Sequence, residues 1–221
     1  MFHANGILPD DLVVRNVEEE KFIDLRRKLL EDQLSYHQLL LNEISGKKVI
    51  IGLENAPIWD AAIRGSQWFS EHAFEDFESR LILGGVHTID IPHTAMNSAY
   101  YSQSERRFFS MEMIRGEFSG VPASLRSVGN YIKVASEFFR KVGRSSSEIT
   151  YHIADCNGLY GNNEGVIIGA EGSVINWKDA INSIRKYTPG SYGAIEVQNG
   201  HLKENYDSHI RMSLKNLLSF V

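Results

Sequence analysis

Hydrophobic and polar positions along the chain change their spacing in a regular way, first at the period of a helix and then as a short apolar run. Over residues 17–45 apolar side chains recur at helical spacing among charged ones, which predicts a helix with one buried face that ends at Gly46. The run over 47–55 then ends abruptly in the polar residues Glu54 and Asn55. Such a run is typical of a strand that is buried on both faces.

The same order of helix and strand repeats three more times. The helical patterns and the strand patterns that follow them cover 69–83 with 86–90, 125–142 with 149–153, and 177–187 with 192–197. A last helical pattern covers 204–220. Because helix and strand alternate throughout, the sequence predicts an α/β fold whose parallel sheet carries its helices on the outside.

Two segments interrupt this spacing. Residues 92–122, which contain an aromatic and arginine-rich patch, are too long for an ordinary strand-to-helix loop. We expect an inserted, lid-like segment there, with an insertion that has no function as the alternative. Residues 155–176 carry five glycines, which indicates tight turns or a close approach of the backbone. No phosphate-binding loop motif occurs at a strand-to-helix junction, so nucleotide binding of that kind is excluded.

Composition narrows the class of protein. The chain has 221 residues, 43% of them hydrophobic, which is enough for one core and a single domain over 1–221. The single cysteine, Cys156, excludes disulfide scaffolds and zinc fingers, and a net charge of −5 argues against a broad nucleic-acid surface. No stretch reaches the roughly 18–20 apolar residues of a membrane helix, and the N-terminus lacks a signal-peptide pattern. We therefore expect a cytoplasmic protein without a membrane partner.

Each of the four clear strand patterns ends in a side chain that can bind a divalent metal ion, namely Glu54, Asp90, His152 and Glu196. In a parallel barrel or open sheet the carboxyl ends of the strands meet on one face, where the active site forms. Three carboxylates and one imidazole suit Mn²⁺, Mg²⁺, Co²⁺ or Zn²⁺, and the oxygen-rich set favours the harder ions. Taken singly, a residue of this kind is more often a hydrogen-bonded structural group, whereas four of them, each at the end of a strand pattern, predict a metal site.

The motifs around these four residues resemble, in order, those of the xylose-isomerase-like barrels, which include sugar isomerases, sugar epimerases and the endonuclease IV enzymes. The stretch Gly52-Leu-Glu54-Asn55 resembles the first metal-binding Glu of that family, Asp90-Ile-Pro-His93 its Asp-x-x-His, and His152-Ile-Ala-Asp155 its His-x-x-Asp. The glycine-rich turn over 165–172 and Ala194-Ile-Glu196 resemble the turn and the final metal-binding Glu that follow. These motifs run over most of the chain.

The resemblance implies a site for one divalent ion held by Glu54, Asp90, His152 and Glu196. It also implies that the two glutamates flank a sugar and exchange a proton at the carbon beside its carbonyl through an enediolate, with either glutamate as the base. The expected substrate-binding residues are His93, Asn55, Trp59 and Asp155. His93 would hold a substrate hydroxyl or a second metal, Trp59 would stack on the sugar or pack in the core, and Asp155 would orient the loop after His152. The expected activity is isomerisation or epimerisation of a sugar or sugar derivative.

Two other functions are the alternatives. The endonuclease IV branch carries an Asp-x-His that binds an additional ion, at positions where this chain reads Asn163, Glu164 and Gly165. An endonuclease that cuts DNA at abasic sites would therefore have a reduced metal site here, and nucleic acid is not the expected partner. A non-catalytic remnant or partner subunit is the second alternative.

The length of the chain bears on the expected barrel. A complete barrel of this kind has about 250 residues and eight strands. This chain offers four clear strand patterns and a possible strand end near His3. The sequence thus predicts a TIM-type (β/α) barrel that is incomplete or N-terminally truncated, and we favour a late start codon or truncated gene over completion by another chain or a compact degenerate barrel. Because an open barrel exposes sheet edges, we also expect a homo-oligomer or a partner that covers it.

Overall fold

A parallel sheet of four short strands organises the part of the chain that the computed structural model describes, which comprises residues 19–57, 72–102, 122–158, 164–196 and 206–221. Its strands, in spatial order, are β1 (Gly52–Glu54), β2 (Val86–Asp90), β3 (Ile149–Ile153) and β6 (Tyr192–Ile195). Every neighbouring pair is parallel. Between β3 and β6 in the chain, β4 (Asp155–Cys156) pairs with β5 (Glu164–Val166) in an antiparallel ladder.

Helices alternate with these strands. They are α1 (Glu19–Ile44), α2 (Glu78–Leu83), α3 (Ile91–Tyr101), α4 (Val128–Lys141), α5 (Trp177–Tyr187) and α6 (Tyr206–Ser219). Short 3-10 turns cover Phe74–Asp76, Ala123–Arg126 and Ser146–Glu148. Across the described ranges, no helix combines the length and the apolar character needed to cross a membrane.

The predicted mixed α/β architecture with a parallel sheet is confirmed, and closure of that sheet into a TIM-type barrel stays a prediction. The expected bounds of β2, β3 and α5 agree with the structure. The strand expected over 47–55 is shorter, because Val49 and Ile50 are 54% and 74% exposed and precede β1. The helix expected over 69–83 is wrong for 72–77, which contains the 3-10 turn Phe74–Asp76 ahead of α2.

Helix α3 occupies the first third of the segment that we expected to be a lid. The carboxylate of Asp90 caps its N-terminus by accepting a hydrogen bond from His93 N, and Pro92 lies in the first turn, where its missing N–H costs nothing. Ten of its eleven residues are buried. This part of the segment therefore packs in the core, and the remainder of the expected lid-like segment, residues 103–121, lies outside the described residues.

One hydrophobic cluster joins the sheet to the helices. It includes Leu53 of β1, Ile89 of β2 and Phe139 of α4. His87 of β2 lies fully buried beside it, with Nδ1 2.9 Å from Leu53 O and Nε2 3.1 Å from the hydroxyl of Tyr131. Burial lowers the pKa of His87 to about 3, so its imidazole is neutral. His87 is therefore a buried structural residue of the core.

Candidate metal centre

Four neighbouring strands bring their carboxyl ends to one edge of the sheet. Glu54 ends β1, Asp90 ends β2, and Asp90 lies opposite His152 of β3 in the parallel ladder. Glu196 directly follows β6, and its N–H donates to Ile153 O at 3.1 Å. The backbone pairing thus places all four predicted ligands side by side, although they come from distant parts of the sequence.

Their side chains converge on one nitrogen. His152 Nδ1 lies 2.8 Å from Glu54 Oε1, 3.0 Å from Glu196 Oε2 and 3.8 Å from Asp90 Oδ2. Glu54, Asp90 and His152 each offer one ligand atom, and these three atoms lie within 4.8 Å of one another. Two ligands of one ion are at most about 4.4 Å apart when each lies about 2.0–2.2 Å from the metal, so movements of a few tenths of an ångström would close this set around an ion.

The donor set fits a divalent cation. Three carboxylates surround His152 Nδ1, which is buried. Three carboxylates around one imidazole leave an excess of negative charge, which is costly in a partly buried site. A divalent cation between the oxygens and the nitrogen would offset that charge and use the nitrogen lone pair.

Burial differs sharply among the four side chains. The side chains of Glu54, Asp90 and His152 are 3%, 8% and 14% exposed, whereas that of Glu196 is 53% exposed. Contact with the Glu54 carboxylate raises the pKa of His152, and the charges of Asp90 and Glu196 act in the same direction while burial opposes them. A raised pKa favours the protonated imidazole, and because a metal ion needs the unprotonated nitrogen, ion binding and protonation of His152 compete.

Two of the expected substrate-binding residues are buried beside this site and bind other parts of the protein. His93 on α3 is 5% exposed, and its Nδ1 lies 2.6 Å from the backbone oxygen of Asn55. Asn55 is fully buried, and its amide binds the backbone of Asp90 and the hydroxyl of Thr94. The side chain of Asn55 therefore ties β1 to β2, a role that no pattern in the sequence indicates.

Asp155 is likewise engaged within the protein. It is fully buried, and its carboxylate accepts hydrogen bonds from Cys156 N at 2.8 Å, Ser173 Oγ at 2.5 Å, Gly169 N at 2.7 Å and Trp177 Nε1 at 2.7 Å. These bonds join β4, the glycine-rich turn and the start of α5. The carboxylate of Asp155 thus has four partners within the protein, and its role in orienting the loop after His152 stays a prediction. Trp59 lies outside the described residues.

Comparison of the chain with protein-family models, with curated proteins and with solved structures found no match in any of the three. The resemblance to the xylose-isomerase-like barrels therefore rests on the residues of this chain and their arrangement.

Proposed function

We propose that this protein is a divalent-metal-dependent enzyme that isomerises or epimerises a sugar or a sugar derivative, on a barrel of the xylose-isomerase-like type. The observation that carries the proposal is the convergence of Glu54, Asp90 and Glu196 on His152 Nδ1 at the carboxyl edge of a parallel sheet. Active sites of α/β barrels and open sheets form at this edge.

The ligand set favours Mn²⁺, Mg²⁺, Co²⁺ or Zn²⁺. Carboxylate oxygens suit the harder ions, and one imidazole is compatible with each of the four. When bound, such an ion polarises the carbonyl and hydroxyl oxygens of a substrate and stabilises the negative charge that develops when a proton leaves the neighbouring carbon. The remaining chemistry is proton transfer, which carboxylates of this chain can perform.

The difference in exposure separates the roles of the two glutamates. Glu54 is 3% exposed and lies against His152, so it is placed to hold the ion and to orient the imidazole. Glu196 is 53% exposed, so its carboxylate can reach a substrate that enters from solvent and can exchange a proton with water. We assign the solvent-linked proton transfer to Glu196, with Glu54 facing the substrate from the interior.

A covering partner belongs to the same proposal. Among the described residues, β6 pairs only with β3, and its Tyr192 is 75% exposed. Parallel sheets are normally covered on both faces, and an open strand edge invites pairing with another chain. We propose that a second copy of the chain or another protein covers this edge, which a measurement of the mass in solution tests.

The first experiment measures metal content. The purified chain is compared with Glu54→Gln, and Glu137→Gln serves as the control because Glu137 is a 49% exposed glutamate on α4. We expect about one Mn, Mg, Co or Zn per chain in the wild type and in the control, and loss of the ion in Glu54→Gln. A wild type that binds no ion contradicts the proposal.

The second experiment identifies the reaction. Aldoses and ketoses are incubated with the metal-loaded protein in deuterated water, and incorporation of deuterium at the carbon beside the carbonyl is followed by NMR. Incorporation that depends on Glu196, tested with Glu196→Gln, supports the proposed proton transfer. Cleavage of DNA at abasic sites without any sugar exchange would instead assign the endonuclease activity.

A further inference from the structure

Asn55, the residue after Glu54, makes a two-point contact with the backbone of a second predicted ligand. Its Oδ1 accepts a hydrogen bond from Asp90 N at 2.8 Å, and its Nδ2 donates to Asp90 O at 3.3 Å. Nδ2 also donates to Thr94 Oγ1 at 3.2 Å, and that hydroxyl in turn donates to Asp90 O at 2.7 Å. Asn55 and Thr94 are both fully buried.

The orientation of the Asn55 amide follows from its partners. A backbone N–H can only donate, so the group facing Asp90 N is the amide oxygen, and the nitrogen then faces the carbonyl of Asp90. The side chain of Asn55 thus presents an acceptor and a donor to one residue, as a neighbouring strand would. It extends the pairing of β1 with β2 beyond Glu54 and Thr88, the last pair of the backbone ladder.

His93 makes a second connection between the strand ends that carry Glu54 and Asp90. Because His93 Nδ1 lies 2.6 Å from Asn55 O, which can only accept, the proton of a neutral His93 sits on Nδ1. The backbone N–H of His93 donates to Asp90 Oδ1 at 2.7 Å. One oxygen of Asp90 therefore caps α3, while Oδ2 is the oxygen that lies 3.8 Å from His152 Nδ1.

We propose that Asn55 is a positioning residue for the metal centre, which sets the placement of the Asp90 carboxylate relative to that of Glu54. The inference rests on the proposed ion site. Through Asn55, the backbone N–H and carbonyl of Asp90 are held by the residue that directly follows Glu54. Loss of the amide therefore changes the separation of two ligands of one ion, and partners of this kind typically contribute about 10- to 100-fold to metal affinity.

Asn97 on α3 provides a matched control. It is also a fully buried asparagine, and its amide donates to Ala56 O at 2.9 Å and to His72 O at 3.3 Å. Asn97 thus ties the segment after β1 to α3 with a similar number of bonds, and these two bonds run to the backbone of Ala56 and His72 rather than to that of Asp90. A purely structural role of buried asparagine would predict the same consequences for Asn55→Ala and Asn97→Ala.

The test is a Mn²⁺ titration of the full chain by calorimetry, with thermal unfolding recorded for each variant. We expect Asn55→Ala to bind Mn²⁺ about 10- to 100-fold more weakly than wild type. Asn97→Ala should lose comparable thermal stability and keep the affinity of the wild type. Thr94→Val, which replaces one hydroxyl by a methyl group, should weaken binding in the same direction by a smaller factor, and it carries the test if Asn55→Ala does not fold.

Hydrogen exchange of the Asp90 amide in the ion-free protein gives a second readout. Exchange should accelerate in Asn55→Ala, which removes the acceptor of that amide, and stay slow in Asn97→Ala. If Asn55→Ala or Thr94→Val binds Mn²⁺ as tightly as wild type, the positioning role is overturned and the ion site stands. If the wild type binds no Mn²⁺, or Glu54→Gln binds it equally well, the proposed function itself falls and this inference with it.

Discussion

Replacement of Glu75 by glutamine should change how the stability of the protein depends on pH. Glu75 lies in the 3-10 turn Phe74–Asp76, and its carboxylate accepts hydrogen bonds from Ser124 Oγ and, at 3.5 Å, from Ser124 N. Burial raises the pKa of Glu75 from its ordinary 4.5 to about 7. The charge of Asp76 acts in the same direction, and the hydrogen bonds from Ser124 oppose it.

The sign and the size of the effect follow from proton linkage. Between pH 4.5 and about pH 7, Glu75 holds a proton in the folded protein and has released it in the unfolded chain. Its contribution to stability is therefore complete below pH 4.5 and is lost as the pH rises through about 7. Because one pH unit corresponds to about 1.4 kcal/mol, the free energy of unfolding falls by up to about 3 kcal/mol across this window.

Urea unfolding at about pH 5 and about pH 8 measures this contribution. Glu75→Gln, which stays neutral, should nearly match wild type at the lower pH and exceed its free energy of unfolding by up to about 3 kcal/mol at the higher pH. Glu137→Gln, at an exposed position on α4, should retain the pH dependence of the wild type. If Glu75→Gln loses stability with rising pH as steeply as wild type, the reasoning is refuted.

Three further predictions concern the turns and the metal centre. Gly85→Ala should lower the free energy of unfolding by about 2–3 kcal/mol and Gly143→Ala by about 1 kcal/mol in urea unfolding. Both glycines have positive φ, but only at Gly85 does an added Cβ meet a backbone atom, Ile51 O at 2.9 Å. Asp155→Asn should cost about 2–3 kcal/mol in the same assay, because an amide nitrogen replaces an acceptor for buried donors. Mn²⁺ affinity measured by calorimetry should fall as the pH is lowered, because a proton competes with the ion for His152. The surrounding carboxylates raise the pKa of His152, so the affinity should begin to fall at a higher pH than it would for an ordinary histidine. An affinity that is independent of pH would contradict ligation by His152.

Strands β2 and β3 could be predicted because strand patterns alternate with helical patterns along the chain, and both strands occupy the expected residues. Helix α5 has an amphipathic pattern and begins after Asn176, whose side chain accepts a hydrogen bond from Asp179 N. Local pattern and tertiary packing agree at these elements.

Helix α3 could not be recognised from its pattern for a physical reason. A helix that is buried on all sides has no polar face, and α3 carries His93, Thr94, Asn97 and Ser98 among its buried residues. At least three of these polar side chains make hydrogen bonds to the neighbouring strand ends or loops. We expected a lid-like segment there because of its length and its aromatic and arginine-rich patch, whereas the structure shows a helix that Asp90 caps and that has a proline in its first turn.

The candidate site also combines positions that could be predicted from the sequence with contacts that could not. The closeness of the four residues could be predicted because each lies at or next to the carboxyl end of a strand, and parallel strands bring those ends together. The contacts of Asn55 and Asp155 could not, because a buried polar side chain is satisfied by groups that are distant in sequence. The exposure of Glu196 relative to Glu54, on which the assignment of the proton transfer rests, also depends on the tertiary structure.

A crystal of the protein soaked in Mn²⁺ and measured at the manganese absorption edge tests the central claim most directly. The account predicts one anomalous peak about 2.0–2.3 Å from oxygens of Glu54 and Asp90 and from a ring nitrogen of His152, with Glu196 completing the set. No peak at this edge of the sheet, or a peak bound only by residues elsewhere, would contradict it.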